Sequence, residues 1–416
     1  MALRGIGILV GAFHHISMHS KNAIEPTKPG RLFFIDNIRW LMIVFVIMVH
    51  AAVTYSGIGS WYYIEHRKLD TASLVFFVIF QAFMQAYFMG LLFLIAGYFV
   101  PSAFDRKGFL KFLGDRSVRL GIPTLIYMLF INTIIVYYIL AFQWSTPRPP
   151  VGQYFMNYIL NPSFLGGSGP MWFAFALLVF SAAYAVFRLF SHNHLSYNHF
   201  LHNPQGSKGD AALPGHLAVV ELILLISICS FIVRLVQPIG TSIMNMQLGF
   251  FAQYIILFIA GIIAYRKNWL ARIPYSFGMT WFKIALIGGT ISLAAIMILG
   301  GGISGDFSRY AGGLYWQSAA YALWESFFCV GVSLGIIVLF RERFNSQGKF
   351  TGFMSQNSFS AYVFHAPILI LVTLAIRNFS WHPILKFMAA VAIAIPLCFL
   401  ASHFVFRRIP LLKKVL

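Results

Sequence analysis

The chain has 416 residues, of which 59% are hydrophobic and only 10% are charged, and its mean hydropathy is +0.77. A water-soluble protein of this length needs far more charged side chains, so the composition excludes that class and indicates a polytopic membrane protein. The 30 Lys and Arg residues against 11 Asp and Glu give a net charge of +19. In a membrane protein such an excess reports orientation and not nucleic-acid binding.

Residues 1–31 precede the first long apolar stretch and are interpreted as a cytoplasmic extension. Arg4 and the short apolar run after it resemble a signal peptide, but no small-residue cleavage site follows.

Ten membrane-spanning helices are then predicted from hydropathy, which makes the fold an all-α integral membrane protein. They cover approximately residues 38–58, 73–99, 117–142, 170–190, 216–236, 247–265, 280–300, 317–340, 356–376 and 384–406.

The basic residues predict the orientation of these helices. The N-terminus, the even-numbered connections and the C-terminus together hold 23 of the 30 Lys and Arg residues, so both termini are predicted to be cytoplasmic. The connections 143–169 and 191–215 are too short to form a soluble domain. Residues 32–406 are therefore one transmembrane domain, followed by a basic tail at 407–416. The histidine-rich connection 191–215 lacks a supporting Cys or carboxylate cluster and is interpreted as a linker, so no metal is predicted.

The first spanning helix carries two ionisable residues on one face. Arg39 and His50 are eleven residues apart, which brings them to within about 20° of each other around the helix and roughly 16 Å apart along it. If Arg39 lies at a membrane edge, His50 lies near the midplane. An ionisable residue at that depth is costly and indicates function.

Five short motifs, in order along the chain, resemble those of the membrane-bound acyltransferase 3 family. They are FFIDNIRW with Arg39 and His50, FLIAGYF at 93–99, DRSVRLGIP at 115–123, GPMWF at 169–173 and NSFSAYVFHAPIL at 357–369. The resemblance covers residues 32–406 and is to stand-alone members, including those that acylate glucans. It implies transfer of an acyl group, often acetyl from acetyl-CoA, to a hydroxyl of a carbohydrate or lipid-linked acceptor. We expect such a protein in an inner or plasma membrane of bacterial type, with the lipid bilayer as its environment.

The chemistry of acyl transfer assigns roles to the polar residues. A hydroxyl acceptor needs a base, and His50, with an ordinary pKa of about 6.5, is the candidate. Arg39, Arg116 and Arg119 lie at predicted cytoplasmic helix ends, where guanidinium groups suit the phosphates of CoA. Taken singly, Arg39 also fits an interfacial side chain, and the other two fit a topology signal. Their coincidence with a histidine on the same face favours donor binding.

Two further ionisable residues are predicted at the depth of His50. Glu325 lies about eight residues into the eighth span, and His365 lies about nine residues into the ninth. We expect all three to be catalytic, with Glu325 orienting or charging a histidine. A structural hydrogen-bond network between helices is an equally good explanation of Glu325 and His365.

Gln85, Trp172 and Tyr362 are the candidate acceptor-binding residues. Polar helix packing and an interfacial aromatic belt explain the same residues almost as well. The alternative function for the whole chain is a multi-pass exporter or flippase, in which the buried charges form a substrate or proton path.

Overall fold

The protein is all-α, as predicted. A computed structural model of the chain describes residues 31–65, 68–191, 212–302 and 305–413, except the side chains of residues 411 and 413. In these ranges β-type pairing is limited to an isolated bridge between Ile243 and Met246. The predicted N-terminal extension and the histidine-rich linker lie almost wholly outside the described residues.

The longer helices begin and end as follows. They are α1 (Phe33–Ser56), α2 (Thr71–Arg116), α3 (the α- and π-helical turns of 117–139), α4 (Val151–Leu160), α5 (Trp172–Ser191), α6 (His216–Val236), α7 (Phe251–Arg266), α8 (Tyr275–Leu299), α9 (Trp316–Arg343), α10 (Lys349–Ala375) and α11 (Pro383–Phe404).

Nine segments of the described chain are long and apolar enough to cross a membrane, and one of them contains two of the ten predicted spans. This segment, Thr71–Ile139, is 69 residues long and is broken at Gly108, whose backbone has φ 69° and ψ 176°. The side chains of Lys107 and Asp115 meet at 2.5 Å across the break. In a straight helix these residues would be about 12 Å apart along the axis, so the chain changes direction here.

The chain crosses the bundle once before the break and once after it. Before it, Gln81 donates to Ser56 at the end of α1 at 2.7 Å, and Phe99 lies against Arg39 near the start of α1. After it, Arg116 interacts electrostatically with Arg39, whereas Asn132 accepts a hydrogen bond from Tyr62, beyond the end of α1, at 2.7 Å. The segment therefore passes through the bundle twice. The connection predicted at 100–116 is helical and not a loop, since glycine alone provides the turn.

Helix α1 begins at Phe33, five residues before the predicted start. Asn37 therefore lies within the helix, and its side chain donates to the carbonyls of Phe344 and Ser346, at 2.7 and 3.0 Å. The side chain of Asn345 caps the helix by accepting from the N–H of Phe34 at 3.2 Å. Because α1 ends at Ser56, two residues before the predicted end, His50 lies about 9 Å from the C-terminal end of the helix.

The connections gather at two ends of the bundle. We call the end that holds the connections after α1, α3, α6, α8 and α10 the cavity end, and the opposite end the arginine end. Contacts between connections define the cavity end: Ile239 N–H donates to the Ala311 carbonyl at 2.8 Å, and Asn245 donates to the Gly169 carbonyl at 2.7 Å. Helix α1 starts and α11 finishes at the arginine end. The cytoplasmic location of the arginine end stays a prediction.

Helices α2 and α7 pack closely through two glycines. A Cβ added at Gly97 would lie 2.0 Å from the Phe258 carbonyl oxygen, and one at Gly261 would lie 2.1 Å from the Leu94 carbonyl oxygen. Small residues let membrane helices approach to this distance. Gly97 belongs to the motif FLIAGYF, and the packing explains its position there.

Candidate active site

A cavity of about 890 Å³ opens among the helices at the cavity end. Its described wall contains aromatic, aliphatic and uncharged polar side chains together with His50, and it contains no Asp, Glu, Lys or Arg. The polar part of the wall consists of Ser60, Tyr62, Gln81, Gln85, Asn132, Ser242, Asn245, Gln247, Tyr254, Ser308, Tyr310, Tyr321 and Tyr362. A site of this composition suits an uncharged, hydroxylated ligand.

His50 and His365 are in direct contact at this cavity, as their predicted common depth suggested. The Nδ1 atom of His50 lies 3.0 Å from Nε2 of His365, and Nδ1 of His365 lies 2.7 Å from the carbonyl oxygen of Tyr362. His365 is fully buried, and His50 is half-buried in the cavity wall.

This chain of contacts sets the tautomers of two neutral histidines. A carbonyl oxygen can only accept, so Nδ1 of His365 carries the proton and its Nε2 is an acceptor. His50 must then donate from Nδ1, which leaves Nε2 of His50 with its lone pair. The arrangement provides a base whose ring orientation is fixed through His365.

Trp61 covers one face of His50. The ring centroids are 3.9 Å apart and the planes differ by 15°. Sequence reasoning missed Trp61 because it lies in the connection after α1, where nothing in the local pattern separates it from the neighbouring Tyr62 and Tyr63.

The structure corrects the predicted contact between Glu325 and a histidine. Glu325 forms a buried ion pair with Arg234 of α6, and the side chains are 1% and 0% exposed. Arg234 also donates to the Gly249 carbonyl at 3.0 Å and lies over the ring of Phe250. A buried carboxylate needs such a partner, and the guanidinium supplies a stronger one than a neutral imidazole. The signal for Arg234 was present in the sequence, since it is an ionisable residue within a predicted span.

The three predicted donor-binding arginines come together at the arginine end. Arg116 interacts electrostatically with both Arg39 and Arg119. Arg39 also contacts Asp36, at 3.5 Å, and its guanidinium carbon lies 4.7 Å from the ring centroid of Phe99, the last residue of FLIAGYF. Arg119 is exposed. The arrangement gathers positive charge at one helix end, on the same helix as His50.

Gln85, Trp172 and Tyr362 all line the cavity that contains His50. Gln85 donates to the hydroxyl of Tyr254 at 3.2 Å, and the ring of Trp172 stacks on Tyr254 at 5.9 Å. The hydroxyl of Tyr362 donates to the Pro170 carbonyl of the motif GPMWF. The fold therefore collects these three residues at one site, although they are far apart in sequence.

The helices and the cavity define a multi-pass integral membrane protein with a histidine-centred site at one end of the bundle. A family model described as an acyltransferase domain matches residues 32–403, which is most of the chain. The chain belongs to the acyltransferase 3 family and is a membrane acyltransferase. Comparisons with curated proteins and with solved structures gave no match.

Proposed function

We propose that the protein transfers an acyl group from acyl-CoA to a hydroxyl of a carbohydrate or lipid-linked acceptor, and that this acyl group is acetyl. The observation that carries the proposal is the contact of His50 with His365 in the wall of a large uncharged cavity, because this contact uses Nδ1 of His50 and leaves the lone pair of Nε2 for the acceptor. The bacterial-type plasma membrane, with both termini cytoplasmic, is part of the same proposal.

The base would act on the acceptor. Nε2 of His50 takes the hydroxyl proton while the oxygen attacks the thioester carbonyl, and a tetrahedral intermediate forms. The intermediate collapses with release of the CoA thiolate, which recovers the proton from His50. The acceptor thereby gains an ester and the donor leaves as free CoA.

The arginines would hold the other end of the donor. The three guanidinium groups outnumber the carboxylates beside them, Asp36 at Arg39 and Asp115 at Arg119, and the phosphates of CoA would add the remaining negative charge. Eleven residues of helix separate Arg39 from His50, roughly 16 Å along the axis. An extended pantetheine arm that follows α1 from the arginine end would bring its thioester to the histidine.

The cavity wall supports a neutral acceptor. Amide and hydroxyl groups such as those of Gln85 and Asn245 suit sugar hydroxyls, and Trp172 offers an aromatic face. Without a cationic side chain in the described wall, the group that enters the cavity would be uncharged, and any phosphate of a lipid-linked acceptor would stay outside.

Transfer of radiolabel from acetyl-CoA tests the proposal. The protein is reconstituted in proteoliposomes with a neutral oligosaccharide or envelope glycan lipids, beside a His50→Ala control. We expect labelled ester on the acceptor with native protein and almost none with the variant. Movement of the acceptor across the membrane without ester formation would support the exporter instead.

A further inference from the structure

Proton abstraction by His50 creates a positive charge that the site must stabilise. In many acyl-transfer sites a buried carboxylate does this. No Asp or Glu lines the described cavity wall, and two carboxylates elsewhere in the bundle are already paired, Glu325 with Arg234 and Glu65 with Lys386 at 2.7 Å. The stabilising group must therefore be of another kind.

An aromatic face is the group that the structure places against His50. Trp61 stacks on the imidazole at 3.9 Å between centroids and lies nearly parallel to His365 as well, with an angle of 10° between the planes. The indole and the His50 imidazole meet face to face, because their planes differ by 15°. Of the aromatic side chains, indole attracts a cation most strongly.

The loop that carries Trp61 is held before and after the indole. After it, Tyr62 donates to Asn132 at 2.7 Å, the Glu65 N–H donates to the Thr54 carbonyl at 2.8 Å, and the Glu65 carboxylate accepts from the buried Lys386. Before it, the Ile58 N–H donates to the Ser56 hydroxyl at 3.0 Å. These ties fix the indole over His50 before any substrate binds.

We propose that Trp61 is a positioning residue that stabilises the protonated form of His50 by a cation–π interaction, in place of a carboxylate. The inference rests on the proposed function, because it assigns the partner of the base in that reaction. His50 takes the acceptor proton on Nε2, the charge spreads over the imidazolium ring, and the π-face of Trp61 lies against it. The proton then returns to the leaving thiolate, so Trp61 itself exchanges no atom or electron.

The other titratable groups near His50 do not take over this role. His365 is a second base that accepts from His50 and carries no negative charge. The remaining titratable residues of the described wall are tyrosines, namely Tyr62, Tyr254, Tyr310, Tyr321 and Tyr362. Burial raises the pKa of the Tyr62 hydroxyl, which keeps it neutral.

The test compares Trp61→Leu and Trp61→Phe by the pH dependence of turnover in the reconstituted acyl-transfer assay. We expect Trp61→Leu to lower turnover roughly two- to thirtyfold and Trp61→Phe to lower it less, because phenylalanine keeps a weaker π-face. The acidic limb of the profile should move to lower pH in Trp61→Leu, since the protonated histidine loses its stabilising partner. Affinity for CoA should stay unchanged.

Two controls separate this role from packing. Trp381→Leu, at an exposed tryptophan of the connection before α11, should leave turnover and the profile unchanged. Trp172→Leu should raise the KM for the acceptor without moving the acidic limb, because Trp172 lines the cavity but stacks on Tyr254.

Equal losses in the leucine and phenylalanine variants, an unmoved limb, or a limb moved to higher pH as water enters would overturn the cation–π role. If Trp61→Leu does not fold, the smaller loss and shift in Trp61→Phe carry the test alone. If the native protein transfers no acyl group, the proposed function fails first. If the native protein transfers the acyl group and the Trp61 variants have the same turnover and pH profile, only this inference fails.

Discussion

Glu325→Gln should destabilise the protein strongly, because it leaves Arg234 charged and buried. The two side chains are 1% and 0% exposed, so water cannot replace the lost carboxylate. Removing one partner of a buried pair costs about 3–5 kcal/mol. The lower end is expected here, since Arg234 keeps its bond to the Gly249 carbonyl and its place over the ring of Phe250. About 3 kcal/mol corresponds to a change of roughly 150-fold in the folding equilibrium.

Helix α9 supplies a matched control for this prediction. Glu342 pairs with Arg341 at 2.8 Å but is 48% exposed, so Glu342→Gln should change stability by less than about 1 kcal/mol. The double variant Arg234→Met/Glu325→Leu removes both charges and should be more stable than Glu325→Gln. Equilibrium unfolding of the purified protein in detergent measures all three. A Glu325→Gln protein that is as stable as native yet inactive would refute the structural role and restore a catalytic one.

Three further predictions follow from the packing, the arginine cluster and the topology. Gly97→Ala should force α2 and α7 apart and lower stability by about 1–3 kcal/mol in the same unfolding assay, whereas Gly114→Ala, with open space around it, should be neutral. Arg39→Ala should weaken CoA binding roughly ten- to a hundredfold by calorimetry through loss of a charge-assisted contact, and Arg39→Lys should restore it only in part; unchanged binding would contradict this. A cysteine at Gly152, which has open space around it, should react with an impermeant thiol reagent added outside intact cells; labelling only from the cytoplasm would reverse the orientation.

The sequence predicted what depends on local composition and on residues within one helix. Long apolar segments identified the helices, because a bilayer fixes their length and polarity. A common depth was enough to suggest His50 and His365 together. The break at Gly108 and the early start of α1 were missed, since one depends on a single backbone angle and the other on a cap from Asn345, 311 residues away.

Partners across helices were the part that sequence could not provide. Glu325 pairs with Arg234, 91 residues before it, and a depth estimate cannot distinguish that partner from a histidine at a similar depth. Trp61 reaches His50 only because Lys386 and Asn132 hold its loop from distant helices. Such contacts depend on how the helices are rotated and packed, which hydropathy does not encode.

The most direct test of the His50–His365 chain as the proton-accepting unit is the turnover of three variants measured beside their affinity for CoA. His50→Ala should lower turnover by about 10²–10⁴-fold and leave CoA affinity unchanged. His365→Ala should also lower turnover, because it removes the acceptor that orients His50. The double variant should be no slower than His50→Ala alone, since groups that act as one unit are not additive. Losses that multiply in the double variant, or a His50→Ala protein that retains native turnover or loses CoA binding, would contradict the account.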